Sequence, residues 1–221
     1  MKKTTGLSVL YFLIGIIYIA FEGSISFFPG LLIKGLIIPV LIIIFIVNFQ
    51  HDLNRISILM LAGLFFSWAG DVILVLSFIT GLVCFLLAHI MYLSAFSFTP
   101  GKNTVLHRRY YLFIPVAMYG IGLVFFLYND LAEMRIPVIL YAIVILSMLC
   151  AALNRLMKVN KPSYWLVLTG AILFVFSDSA IAVNKFSFPF KYSGIVILTT
   201  YIIAQYLIIT GYIRQYRKVT E

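Results

Sequence analysis

Two aspartates stand inside runs of apolar residues: Asp71 in Gly-Leu-Phe-Phe-Ser-Trp-Ala-Gly-Asp-Val-Ile-Leu-Val-Leu (63–76) and Asp178 in Gly-Ala-Ile-Leu-Phe-Val-Phe-Ser-Asp-Ser-Ala-Ile-Ala (170–182). A carboxylate deep in a bilayer costs at least a few kcal/mol, so two of them in a chain with only seven acidic residues call for a function. Carboxyls held close together titrate as a pair, one keeping its proton while the other is ionised, and such a pair does general acid/base chemistry. His89, in Gly-Leu-Val-Cys-Phe-Leu-Leu-Ala-His-Ile-Met-Tyr (81–92), adds a proton carrier, with Tyr92 on nearly the same helical face. A neutral histidine bonded to a neighbouring helix is its plainer reading.

Potential partners for the acids are Ser67, one turn before Asp71, Ser177 and Ser179, which flank Asp178, and Tyr201 with Gln205 at i and i+4 in the last apolar run. For each of these alone, bonding between helices is the plainer role. Lys34 either pairs with Glu22 across a short loop or meets a lipid head group. Other chemistries lack their residues: Cys84 and Cys150 fall in mid-run with no CxxC, and there is no HExxH, P-loop or nucleophile elbow. His51 and His107 fall in loops, and a zinc set of His89, Asp71 and Asp178 is the weaker alternative. The expectation is no metal and no cofactor.

A chain that is 63% hydrophobic and 10% charged holds far more apolar surface than a soluble fold of this length buries. It reads as an all-α, polytopic membrane protein, because apolar runs of this length suit helices that cross a hydrocarbon core of roughly 30 Å. Eight spans are expected, at 6–21, 30–49, 56–77, 79–98, 110–128, 135–153, 163–184 and 193–213. Short connections make 1–221 one membrane domain, a single bundle. Ser24-Ile25-Ser26 resembles a signal-cleavage site only faintly, and the first run is read as a span. Pro39 and Pro115 are expected to interrupt spans two and five.

Twelve of the sixteen Lys and Arg residues fall on one side: Lys2, Lys3, Arg55, Lys102, Arg108, Arg109, Arg155, Lys158, Lys161, Arg214, Arg217 and Lys218. Both termini are therefore expected in the cytoplasm, and the +9 net charge reflects topology and anionic lipid, with no nucleic-acid partner. In this frame Asp71 and Asp178 each lie six residues before the outer end of a span, about 9 Å below the boundary. Gly63 precedes Asp71 by eight residues, as Gly170 precedes Asp178, and Gly81 opens span four much as Gly194 opens span eight. This hints at a parallel repeat of four spans plus four; the competing explanation is that Gly-rich packing faces look alike in membrane helices.

Phe-Ser-Trp-Ala-Gly-Asp-Val-Ile-Leu-Val-Leu, then Phe-Ile-Thr-Gly-Leu-Val-Cys-Phe-Leu-Leu-Ala-His-Ile-Met-Tyr, and later Phe-Ser-Asp-Ser-Ala-Ile-Ala-Val-Asn-Lys-Phe, resemble the YhhN/lysoplasmalogenase family over nearly the whole chain. One departure is Lys34-Gly35, where that family suggests Lys-Pro; Pro39 is then the proline that bends the helix. The resemblance implies an enzyme that hydrolyses the vinyl-ether bond of lysoplasmalogens to a fatty aldehyde and glycerophosphoethanolamine or glycerophosphocholine. Its partners would be that lyso-ether phospholipid and membrane lipids, with no protein partner evident, and in a bacterium it would sit in the inner membrane. Asp71 and Asp178 would be the acid and base in unspecified order, with His89 relaying protons, Tyr92 or Ser67 assisting, and the glycerophosphate near Lys34, Lys185 or Lys191. The alternative is a small proton-coupled transporter that uses the same aspartates as a relay. A third reading, a structural or sensor protein, expects both acids to be replaceable by asparagine.

Overall fold

A computed structural model describes residues 2–21, 26–48, 54–101 and 105–216. Their secondary structure is helical throughout, in eight principal helices: α1 (Lys2–Ala20), α2 (Phe27–Asn48), α3 (Arg55–Ile73), α4 (Phe78–Ser97), α5 (Ile114–Leu127), α6 (Arg135–Leu153), α7 (Lys161–Ala182) and α8 (Ser193–Tyr216). A π-helical turn, Val183–Ser187, extends α7, and a 3-10 turn, Tyr110–Phe113, leads into α5. Seven segments, those of α2 to α8, are long and apolar enough to cross a membrane, while the apolar stretch of α1, Thr5–Ala20, is shorter. The chain is thus an integral membrane protein, and apolar side chains such as Phe28, Ile121 and Phe125 point outward where a soluble protein would bury them.

Helix starts follow local capping chemistry. Asn54 accepts hydrogen bonds from the backbone of Ile56 and Ser57 at 2.9 and 3.0 Å, and its own N–H donates to Ser57 Oγ at 2.8 Å, a reciprocal box that starts α3. Asn160 does the same for α7 by accepting from Ser163 N at 2.9 Å, with Pro162 in the first turn. Pro115 proves not to interrupt its span: it sits in the first turn of α5, where its missing N–H has no helical partner to lose. Pro39, by contrast, is inside α2.

The chain divides into two compact units, residues 1–92 and 93–221. In the first, α3 and α4 run antiparallel in close contact. A Cβ on Gly63 would lie 2.5 Å from the Tyr92 ring, one on Gly70 would lie 2.8 Å from Phe85, and one on Gly81 would lie 2.5 Å from Leu74 Cα. In the second, α7 and α8 meet through Gly170, whose missing side chain leaves room for the Ala204 carbonyl and Ile208, and through Gly211 against Val167. Phe174 and Tyr201 add an edge-to-face contact at 5.5 Å. In each unit, then, the glycine eight residues before the aspartate lies against the following helix.

Candidate active site

In the first unit, Asp71 occupies the last turn of α3 and is buried, 3% exposed. Lys34 on α2 places its Nζ 3.7 Å from Asp71 Oδ1. The pairing follows from a chain of local causes. Pro39 has no N–H, so the carbonyl of Gly35, one turn earlier, loses its helical donor. The indole Nε1 of Trp68 on α3 donates to that carbonyl at 2.9 Å. This bond fixes the register of α2 against α3 at the residue beside Lys34 and three before Asp71. Trp68→Phe should leave the Gly35 carbonyl without its donor and lower unfolding stability in mixed micelles by about 1–3 kcal/mol. An unchanged unfolding midpoint would remove Trp68 from this account.

Lys34 therefore faces an acid inside the membrane, Asp71, a pairing not foreseen from the sequence; Glu22, its expected partner, lies outside the described residues. The equal six-residue depth of the two acids is not retained either. The chain turns after Ile73, which puts Asp71 two residues from its helix end, whereas Asp178 is four residues before Ala182 with the π-helical turn beyond.

The three glycine contacts between α3 and α4 share one antiparallel register, which sets Asp71 level with Cys84 and His89 level with Phe66. His89 thus lies about 7 Å further along the pair than Asp71, beside the level of Ser67. Its ring is fully buried, and Nδ1 is 2.6 Å from the Phe85 carbonyl of its own helix. A carbonyl only accepts, so Nδ1 carries the hydrogen and Nε2 is the acceptor nitrogen. Tyr92, fully buried, fills the space that Gly63 leaves. Ser67 is fully buried as well.

In the second unit the partner of Asp178 is a residue that the sequence reading passed over. Tyr141 on α6 donates its hydroxyl to Asp178 Oδ2 at 2.5 Å. The serines beside the acid are occupied differently: Ser177 donates to the Ile197 carbonyl at 2.9 Å, tying α7 to α8, and Ser179 donates to Val175 O at 2.7 Å while accepting from Tyr119 at 2.8 Å. Tyr201 packs on Phe174, and Gln205 is fully buried on α8. Tyr141 left one signal: it is the sole polar residue between Arg135 and Ser147 in an otherwise apolar helix.

Next to the Tyr119–Ser179 bond, an apolar crevice of about 240 Å³ runs between α5, α6 and α7, lined by Pro115, Val116, Leu149, Ile172, Val175 and Phe176. Ile172 and Phe176 are each 50% exposed, so it opens sideways. Beyond the C-terminal end of α7, Lys191 lies over the Tyr192 ring at 4.8 Å, and Lys185 is in the π-helical turn. Among the described residues, no three His, Cys, Asp or Glu side chains gather as metal ligands.

A family model described as YhhN matches residues 30–212, which hold all of these groups. The chain belongs to the YhhN family. Among its relatives, it is 35% identical over 154 residues to lysoplasmalogenase TMEM86A of Bos taurus, an overlap of 66% of this chain and 61% of the bovine protein. It is 32% identical over 181 residues to lysoplasmalogenase TMEM86B of Sus scrofa, covering 81% and 73% of the two chains. A lysoplasmalogenase of Mycobacterium bovis is 26% identical over 169 residues, covering 73% and 63%. The matched part is thus about three-fifths of the bovine relative's length. No solved structure matches the chain. Within the YhhN match, Lys34, Asp71 and His89 fall in one unit and Tyr141 and Asp178 in the other.

Proposed function

We propose that this YhhN-family protein is a lysoplasmalogenase that opens the vinyl-ether bond of its substrate by carboxyl acid/base chemistry within the membrane. The relatives' names support the activity. The observation that carries the mechanism is the unlike setting of the two acids, an ammonium beside the buried Asp71 and a neutral phenol hydroxyl on the half-buried Asp178. An ammonium favours only the ionised carboxylate, whereas a phenol hydroxyl bonds to either protonation state. Asp178 is accordingly assigned as the proton donor and Asp71 as the ionised partner.

Hydrolysis starts with proton transfer from Asp178 to the alkenyl carbon one bond beyond the ether carbon. The C=C π electrons form the new C–H bond, and the ether oxygen shares its lone pair to give an oxocarbenium ion. Water adds to the ether carbon, where the positive charge is shared with oxygen, and loses a proton to a carboxylate. The resulting hemiacetal collapses, its C–O bond to glycerol breaks, and a fatty aldehyde and glycerophospho-alcohol leave. A fixed carboxylate stabilises the cation, much as paired carboxylates do in glycosidases. His89, with Nε2 as acceptor, is assigned as a proton carrier in the first unit, with Ser67 assisting. Tyr141 positions Asp178, and the sideways crevice takes the alkenyl chain. In a bacterium the enzyme would reside in the inner membrane.

The test is to give purified protein a panel of lyso-lipids with vinyl-ether, alkyl-ether or ester chains and to identify products by mass. Aldehyde from the vinyl-ether lipid alone is expected; fatty acid from the ester lipid, or no product from any, would sink the reading.

A further inference from the structure

Arg155 lies between α6 and α7, far from Asp178, at the end of the second unit that the charge count puts in the cytoplasm. Asp178 is 17 residues beyond Lys161 along α7, about 26 Å away. The Arg155 side chain is 1% exposed. Its Nη2 donates to Ser163 Oγ at 3.1 Å and to Gln215 Oε1 at 2.8 Å, and its guanidinium lies 5.5 Å from the Phe96 ring centre. Nε and Nη1 are buried and have no hydrogen-bond partner among the described residues. An ion taken out of water with donors unmet costs several kcal/mol, so a counter-charge is called for.

The surroundings supply the wrong sign. Lys158 is next to it, Lys161 opens α7, and Asn160 Nδ2 donates to the carbonyl of a further cation, Arg214, at 2.9 Å. Burial lowers the Arg155 pKa to about 10. The Lys158 pKa is lowered too, first by burial and then by the Arg155 charge. Of the described acids of the second unit, Asp130 and Glu133 lie between α5 and α6 at the other end and Asp178 is deep in α7; Glu22, Asp52 and Glu221 are outside the described residues. Gly101, at φ +150°, lets the Lys158 stem come close, since a Cβ there would sit 2.8 Å from Lys158 Cγ. The N-terminus of α7 adds its positive end.

We propose that Arg155 and Lys158 form a binding site for a phosphate group, separate from the carboxyl chemistry. Its tetrahedral oxygens accept from Arg155 Nε and Nη1 and from Lys158 Nζ, the charge-assisted bonds that guanidinium and ammonium groups make best. The phosphate belongs either to an anionic phospholipid of that leaflet or to a soluble phosphate ester.

Thermal unfolding of delipidated, detergent-purified full chain tests this, with inorganic phosphate, glycerol phosphate, or micelles doped with phosphatidylglycerol or phosphatidylcholine, all at matched ionic strength. Wild-type protein should show a saturable rise in Tm with phosphatidylglycerol and none with phosphatidylcholine. A rise with soluble phosphate as well assigns the site to phosphate esters in general, and a rise with lipid alone assigns it to a head group. Arg155→Gln should abolish the response, and Lys158→Gln should weaken apparent affinity about tenfold, the loss of roughly one charged contact. Because Arg155→Gln can fail to fold, Lys158→Gln at its partly exposed position carries the test alone: unchanged affinity overturns the site. No saturable shift in wild type overturns it too, as does a Glu221→Gln variant that loses as much Tm as Arg155→Gln, which would give the guanidinium to the chain's own carboxylate.

Discussion

Asp178→Asn is expected to lower kcat for aldehyde release from a lysoplasmalogen by at least about a hundredfold, the low end of what a positioned general acid contributes. Asparagine keeps the shape and still accepts from Tyr141 Oη, so the loss reports the proton and not the fold. Asp71→Asn should cost a comparable factor through the missing negative charge. Residues that act as one device are strongly non-additive, so the double variant should be little worse than the poorer single one. Multiplying losses would mean two independent contributions. Tyr141→Phe should reduce kcat about tenfold, the scale of one hydrogen bond, with KM nearly unchanged. It should also move the acid limb of the pH–rate profile, which a merely structural tyrosine would not do. If Asp178→Asn and Asp71→Asn each leave aldehyde release intact in folded protein, the carboxyl mechanism fails.

The fold was legible because each span is a long apolar run whose composition leaves few alternatives; α6 begins and ends at the expected residues, Arg135 and Leu153. What escaped was set by particular contacts. Span three stops at Ile73, short of Ser77, because the chain turns where Gly81 must fit against Leu74, while the run of apolar residues continues past the turn. Pro115 was misplaced because composition does not separate a 3-10 turn followed by a helix from one longer helix. Both acids, the histidine and the buried serines stood out because polar groups are rare at such depth. Tyr141 did not, since a lone aromatic hydroxyl carries no periodic signal and its partner is 37 residues away. Lys34 stood out as a cation at depth, but its contact with Asp71 was not legible. Its partner in space depends on the α2–α3 register, which Pro39, the Gly35 carbonyl and Trp68 decide together.

That register makes Lys34→Met the largest stability effect to expect. Two opposite charges buried together gain little over apolar residues of like size, because desolvation offsets most of their attraction, but removal of one partner leaves the other buried ion uncompensated. Lys34 and Asp71 have side chains only 11% and 4% exposed, so solvent screens them weakly and the buried case applies. Lys34→Met should therefore lower unfolding stability in mixed micelles by about 3 kcal/mol. Lys34→Met combined with Asp71→Leu should recover most of that loss while remaining inactive, since the apolar pair packs in place of the ion pair but lacks the carboxylate assigned to the reaction. A double-mutant cycle on the unfolding midpoints separates the outcomes: a coupling near zero would show that Asp71 does not depend on Lys34, and its assignment as the ionised partner would then lose its physical basis.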